Sequence, residues 1–332
     1  MARQPQVQVI ATGGTIAMRR DPATGGAVPA VTGADLVAAV PGLAGLARIE
    51  VEEFANIPSE WMRPALWLRL ARRVRELAPA VDGIVVLHGT DTMEETAFYL
   101  DVTVATNTPI VLTGAQRAAS DPDSDGPRNI LDAVTAAVYP RSRGRGVMVV
   151  MGGEIHAARR AIKADTEDVD AFDSAAPPEM GRVRAGRVRF TRPAPPRVHV
   201  PFPTTAPRVD IIPMYAGADD VALTAALARG AAGLVIEAVG AGNVSEELYR
   251  GILEALQSGV PVVISSRVRR GGVRPLYAYP GGGASLVEAG AILAHDLSPP
   301  KARALLIAAL GAGLTGQAIA ALFSSSEPRP AG

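Results

Sequence analysis

The chain predicts an α/β fold, with a larger N-terminal domain on a mostly parallel sheet and a smaller C-terminal α/β domain. Three observations carry this expectation. Short β-rich runs are apolar throughout, as strands covered on both faces are. Segments with helical apolar spacing alternate with them, which implies right-handed crossovers between parallel strands. A proline-rich stretch then interrupts the alternation once. At 332 residues and 48% hydrophobic content, the chain can bury a core and fill two domains.

The apolar runs of the first block are Val7–Ile10, Gly83–Leu87, Ile110–Thr113 and Gly146–Met151. Between them, Ala65–Val74 places apolar residues at helical spacing with arginines on the other face, Met93–Val104 has helical composition, and Asn129–Tyr139 is amphipathic. From Thr191 to Pro207 the prolines deny the backbone its ladder donors and favour an extended linker. The expected division is therefore 1–190, a linker 191–208, and 209–332. In the last block, Val209–Ile212, Gly233–Ile236 and Val260–Ser265 read as strands, separated by helices near Asp219–Arg229 and Ser245–Ser258. Two closing helices, Pro299–Leu310 and Thr315–Phe323, start at Ser298 before a Pro-Pro pair and at Thr315.

Charge narrows the partners. The 33 basic and 33 acidic residues cancel and form no long basic run, so neither a nucleic acid nor a membrane surface is the expected partner. A small molecule is. With no cysteine the chain has neither disulfides nor thiolate chemistry, and its 4 histidines lack metal-ligand spacing, so no metal is expected. The N-terminal residues before Val7 carry no signal-peptide pattern, and no apolar run is long enough to span a bilayer. The expected location is the cytoplasm.

Two glycine-threonine turns follow apolar runs: Thr12-Gly13-Gly14-Thr15 and His88-Gly89-Thr90-Asp91-Thr92. Each puts a hydroxyl where a parallel strand would end, the place where open α/β sheets build their sites. The first turn matches neither the dinucleotide nor the phosphate-loop spacing; it is either a structural turn or the seat of a threonine nucleophile that needs a base. In the second, Thr90, Asp91 and Thr92 suit helix capping as well as chemistry. Lys163 is one of only two lysines, with Lys301, in an arginine-rich chain. It reads either as a solvated surface residue or as a base that arginine could not replace.

Together with Asn56-Ile57-Pro58-Ser59, Thr113-Gly114-Ala115-Gln116-Arg117, Asp125-Gly126-Pro127, Gly240-Ala241-Gly242-Asn243, Ser265-Ser266-Arg267 and Lys301-Ala302-Arg303, these turns resemble the bacterial L-asparaginase and glutaminase-asparaginase family over nearly the whole chain. The resemblance implies hydrolysis of L-asparagine to L-aspartate and ammonia without cofactor or metal. It implies Thr15 as nucleophile and acyl carrier, with Thr90, Asp91 and Lys163 as a second cluster in which Lys163 polarises Thr90. It further implies Ser59 on the substrate α-carboxylate and Asp91 on its α-ammonium. Gly14, Gly89 and Ala115 would line the substrate, with backbone N–H groups near Thr90 and Ala115 as the oxyanion hole. The implied assembly is a homotetramer of intimate dimers, with Asn243 reaching the neighbouring subunit's site. Preference for glutamine or a D-amide, and a catalytically impaired amino-acid sensor, are the competing functions.

The chain departs from the family in its lid. No tyrosine stands in Asp21–Val28, where family members with well-defined lids carry one, and Tyr277–Gly283 lacks the glutamate that meets it. Glu60 follows Ser59 where glutamine is common. Two expectations stand open: a compensating closure, with Tyr277 or Tyr279 supplying a phenol and Glu60 a negative charge near the substrate ammonium, or a lid that works without these contacts, with Tyr277 and Tyr279 as packing aromatics and Glu60 as a solvated loop residue.

Overall fold

The computed structural model describes residues 3–174 and 178–325. The chain divides into two units, Met1–Pro195 and Pro196–Gly332. The first runs β1 (Gln6–Ala11), a hairpin of β2 (Met18–Arg20) and β3 (Ala27–Pro29), α1 (Gly33–Ala38), α2 (Leu43–Leu46), β4 (Arg48–Glu53), α3 (Pro64–Leu77), β5 (Gly83–Leu87), α4 (Met93–Thr103), β6 (Ile110–Thr113), α5 (Gly126–Val138) and β7 (Val147–Met151). Short strands close it: β8 (Glu154–Ala157), β9 (Ala161–Lys163), β10 (Phe172–Ser174), β11 (Gly181–Arg184) and β12 (Arg187–Phe190).

Its main sheet has the order β12-β11-β8-β7-β6-β5-β1-β4. Strands β4, β1, β5, β6 and β7 pair in parallel, while β8, β11 and β12 extend the sheet antiparallel. The parallel centre is fully covered, with every residue of β5, β6 and β7 buried, which is why those runs are continuously apolar. Strand β4 is legible only afterwards. Arg48-Ile49-Glu50-Val51-Glu52-Glu53 alternates polar and apolar residues because it forms the sheet's edge and stays partly exposed. Helix α3 begins at Pro64, whose missing N–H costs nothing there, and buries Trp67, Leu68, Leu70, Ala71 and Val74. Each large side chain among them contributes about 1.5–3 kcal/mol.

From β1 the chain moves to β4 on one side and then to β5 on the other. The strand order therefore reverses between β1 and β5, and a crevice opens beyond their carboxyl ends. Ala11 and Leu87, the last residues of these two strands, are register partners. The two glycine-threonine turns thus leave the sheet side by side.

Residues 191–208 contain neither helix nor strand. The second unit comprises β13 (Val209–Pro213), α6 (Val221–Ala228), β14 (Gly233–Ala238), α7 (Glu246–Gln257), β15 (Val262–Ser266), α8 (Gly283–Glu288), β16 (Ile292–Leu293), α9 (Pro299–Gly311) and α10 (Gly316–Ser325). Its strands form one parallel sheet in the order β13-β14-β15-β16. Its core gathers Ile212, Leu223, Leu234, Ile236, Leu248, Ile252, Val262, Ile264 and Leu286. Ser245 caps α7 by accepting from Leu248 N at 3.1 Å. Strand β15 starts two residues later than the apolar run suggests, because Val260 N still closes the preceding helix on Ala255 O at 3.0 Å and Pro261 has no donor. Among the described residues no helix is long and apolar enough to cross a membrane.

Candidate active site

The first turn is held by the segment that follows β4. Ile57 N donates to Thr12 O at 3.1 Å and Gly14 N donates to Ile57 O at 3.0 Å, so backbone bonds fasten residues 56–59 along the turn. Thr12 is excluded as a nucleophile by its bonding: its hydroxyl donates to Leu87 O at 2.9 Å and it is 2% exposed. Thr15 opens a single 3-10 turn, Thr15–Ala17, and is half-buried. Among the described residues its hydroxyl has no hydrogen-bond partner, which leaves it available to a ligand.

The two turns meet through glycines. A Cβ at Gly14 would fall 2.2 Å from Gly89 Cα, and one at Gly89 would fall 2.8 Å from Ser59 Cβ. No other residue allows the two backbones and Ser59 to approach so closely. Ser59 itself is buried, at the start of the 3-10 turn Ser59–Trp61, and its carbonyl accepts from Thr92 Oγ1 at 2.7 Å. Thr92 therefore spends its hydroxyl on fixing the Ser59 segment and does not cap α4, which has no side-chain cap. Capping does not account for Thr90 or Asp91 either.

Those two residues are drawn to Lys163. Its Nζ donates to Thr90 Oγ1 at 2.8 Å and to Asp91 Oδ1 at 2.6 Å. The lysine stands at the end of β9, where its backbone N–H donates to Glu94 Oε2 at 3.0 Å, tying it to the first turn of α4. Its side chain is 17% exposed whereas that of Asp91 is 61% exposed. An ion pair so open to water contributes about 0–1 kcal/mol, so what it supplies is orientation.

The third strand end completes the group. Thr90 Oγ1 lies 2.8 Å from Gln116 Oε1, in the loop that follows β6. That loop is pinned from α5: Asp125 accepts from Gln116 N at 3.1 Å and Arg117 N at 3.0 Å, and Asn129 Nδ2 donates to Gly114 O at 3.0 Å. Ala115 is fully buried between these anchors.

Beneath the second turn lies a buried polar chain. Trp67 Nε1 donates to Thr96 Oγ1 at 2.9 Å, Thr96 Oγ1 lies 2.9 Å from His88 Nε2, and His88 Nδ1 lies 2.7 Å from Gly89 O. A carbonyl can only accept, so Nδ1 carries the ring proton and Nε2 accepts from Thr96. Burial drives the His88 pKa down to about 4, against a smaller opposing effect of the Gly89 carbonyl. A neutral imidazole thus braces the carbonyl of the glycine that touches Gly14.

Gly14, Ser59, Gly89, Thr90, Asp91 and Lys163 are linked by these contacts, with Thr15 beside Gly14 and Ala115 beside Gln116. Glu60 is exposed next to Ser59. Asn243 belongs to the second unit, in the turn after β14, where its backbone pairs with Val239. Tyr277 and Tyr279, also of the second unit, are exposed and pack with tilted rings, centroids 5.7 Å apart. Sequence reasoning missed His88, Glu94 and Gln116 as parts of the site. Two of them carried a signal: His88 directly follows the predicted strand Gly83–Leu87, and Gln116 stands in the loop after the predicted strand Ile110–Thr113.

Family models match both units: asparaginase, N-terminal, over residues 6–196, and the glutaminase/asparaginase C-terminal domain over residues 208–323. A probable L-asparaginase of Deinococcus radiodurans is 42% identical, over 97% of this chain and 98% of that protein. L-asparaginase 2 of Escherichia coli is 36% identical, over 96% and 93%. The crystal structure of a probable cytoplasmic L-asparaginase from Campylobacter jejuni superposes with a TM-score of 0.87 at 35% identity, covering 97% of this chain and 99% of that one.

Proposed function

This chain belongs to the bacterial L-asparaginase family, and from that premise we propose that it hydrolyses L-asparagine to L-aspartate and ammonia through Thr15. The observation that carries this reading is the bracketing of Thr90 and Asp91 by the Lys163 ammonium, at 2.8 and 2.6 Å, on the turn in backbone contact with the turn of Thr15. Ser59 holds the substrate α-carboxylate and Asp91 its α-ammonium. Thr15 Oγ attacks the side-chain amide carbon, and backbone N–H groups of Thr90 and Ala115 stabilise the oxyanion. As the adduct collapses, the proton given up by the Thr15 hydroxyl passes to the amide nitrogen, which leaves as ammonia, and an ester remains on Thr15. Water, oriented by a hydrogen bond to Thr90, then adds to the ester carbonyl; the bond to Thr15 breaks and the water's proton passes to Thr15 Oγ, which releases aspartate and restores the Thr15 hydroxyl. No cofactor or metal takes part in this scheme.

The bonding of the two threonines supports this division of labour. The Thr15 hydroxyl is without a protein partner among the described residues, whereas that of Thr90 is engaged by Lys163 and Gln116. Ammonia release from L-asparagine, with L-glutamine and the D-amides as comparisons, tests the scheme. The expected result is rapid release from L-asparagine that drops by at least ~1000-fold in both Thr15→Ala and Thr90→Ala. Full activity in either variant would overturn its assigned role.

The same reading takes the working form to be a homotetramer in the cytoplasm, with Asn243 directed to the site of a neighbouring subunit. Asn243 Oδ1 is buried without a hydrogen-bond partner among the described residues, which suits an atom completed by assembly. Light scattering at four chain masses supports it, and an active monomer would refute it. In the closed site Glu60, together with Tyr277 or Tyr279 of the partner subunit, replaces the missing lid contacts. Unchanged turnover and affinity in Tyr277→Phe, Tyr279→Phe and Glu60→Gln combined would remove that compensation.

A further inference from the structure

The β2–β3 hairpin grows directly out of the turn that carries Thr15. Its two ends hang on one residue, since Ala30 N and Val31 N each donate to Ala17 O at 3.0 Å while Ala17 N donates to Gly14 O at 2.9 Å. A shift of the hairpin is therefore felt next to Thr15. The hairpin is a two-stranded sheet of its own, and it is fastened sideways to the loop that follows β6. Ala119 N donates to Met18 O at 3.0 Å, and Arg20 N donates to Ser120 Oγ at 3.0 Å. The Arg20 guanidinium grips the Asp121 carboxylate by two bonds, Nε to Oδ1 at 2.8 Å and Nη2 to Oδ2 at 3.1 Å. The same loop carries Ala115 and, through Gln116, the contact with Thr90. These bonds thus tie the turn of Thr15 to the loop of Ala115 across 101 residues of sequence.

We propose that Arg20 and Asp121 are positioning residues, a clasp that sets the distance between the Thr15 turn and the Ala115 loop and so keeps the nucleophile aligned with the oxyanion donors. The inference rests on the roles given above to Thr15 and Ala115. Packing does not set that distance. A cavity of about 140 Å³ lies where the hairpin, the loop, α1 and the start of α5 meet, bordered by Ile16, Arg19, Leu36, Ala119, Gly126 and Ile130. Dispersion contact is forfeited across such a gap, which leaves the polar bonds to hold the two segments. The hairpin tip, residues 21–26, is small and polar and has no aromatic side chain to anchor it. Asp121 is the fixed half of the clasp, with a side chain 13% exposed against 63% for Arg20. Its own turn is closed by Asp121 N donating to Ala118 O at 2.9 Å and Ser124 N donating to Asp121 O at 3.1 Å. The bond from Arg20 holds the Asp121 carboxyl below the usual carboxylate range, against the opposing effect of burial, so it is charged at neutral pH. An exposed pair of this kind adds little to stability, but two parallel bonds in one plane fix direction.

The test compares Arg20→Met, Asp121→Ala, the double variant, and Arg20→Lys, which keeps the charge but loses the paired geometry. Steady-state kinetics on L-asparagine, thermal unfolding, and hydrogen exchange of the amides in 18–30 and 117–124 without substrate are read for each. The expected result is a kcat lower by about 5- to 20-fold in Arg20→Met and Asp121→Ala with KM within about threefold, and Arg20→Lys between Arg20→Met and wild type. The double variant should lie within about twofold of the poorer single, because both changes open one contact. Exchange in the two segments should rise by at least about fivefold in Arg20→Met while Tm moves by less than about 3 °C. An ion pair that only decorated the surface would leave kcat and exchange where they were. Wild-type kcat in Arg20→Met would overturn the inference, as would losses that multiply in the double variant, or unchanged exchange. A wild-type enzyme with no amidase activity would instead sink the underlying reading of Thr15, and the exchange result would still decide whether the clasp holds the two segments together.

Discussion

Replacing Gly14 by alanine separates two parts of the molecule that the site needs together. The added Cβ would lie 2.2 Å from Gly89 Cα and 2.4 Å from Gly89 N, so the obstacle is backbone and cannot rotate away. Carbon atoms pack at about 3.5 Å or more, so the turns must part by roughly 1.3 Å. Gly14 also has φ 89° and ψ −178°, a region closed to side chains, and forcing alanine into it costs about 1–3 kcal/mol. A misplacement of about 1 Å at a reacting centre lowers rates about 100-fold. Gly14→Ala is therefore expected to lose at least ~100-fold in kcat/KM for L-asparagine, with a Tm lower by roughly 2–12 °C. A coupled ammonia assay and thermal unfolding measure these, with Gly45→Ala as control because a Cβ there meets nothing within 4 Å. A folded Gly14→Ala enzyme with wild-type kcat/KM would refute the idea that contact of the two turns defines the site.

Acid lability should trace to His88. Its pKa lies near 6.5 in the unfolded chain and about 4 in the folded one, so between these values the unfolded state binds more protons and stability falls as pH falls. The loss, complete near pH 4, is about 3 kcal/mol for a shift of about 2.5 units, and Tm measured from pH 7 to 4.5 should drop less steeply in His88→Gln; equal slopes would refute the assignment. Lys163→Met should lower kcat by about 100-fold or more while leaving Tm nearly unchanged, because the partner carboxylate is 61% exposed and the ion pair contributes little to folding. A kcat within tenfold of wild type would show that Thr90 works without the lysine.

How much of this was readable in advance depends on the range of each interaction. The central strands announce themselves because burial on both faces demands unbroken apolar runs, as Gly83–Leu87 does. Strand β4 and the antiparallel strands β8, β11 and β12 lie at or toward the sheet edges, where polar residues are tolerated and blur the pattern. Lys163 could be singled out by its rarity, yet nothing local shows that it meets Thr90, 73 residues away, rather than solvent. His88 reads along the chain as the first residue of the second turn. Its role depends on Thr96 and Trp67, brought together by the packing of α3 and α4.

The two glycines carry this distinction furthest. Read along the chain, Gly13-Gly14 and Gly89 are turn formers, and their neighbours are helix caps. The parallel register of Ala11 with Leu87 changes what they are for. Gly14 needs its positive φ for the turn, but Gly89 has an ordinary backbone and is glycine because Gly14 and Ser59 occupy the space a side chain would take. A turn residue can be inferred from its own segment, whereas a residue kept small by another segment cannot. The hydroxyls of Thr15 and Thr90 are therefore predictable as strand-end groups, while their joining into one site is a property of the sheet.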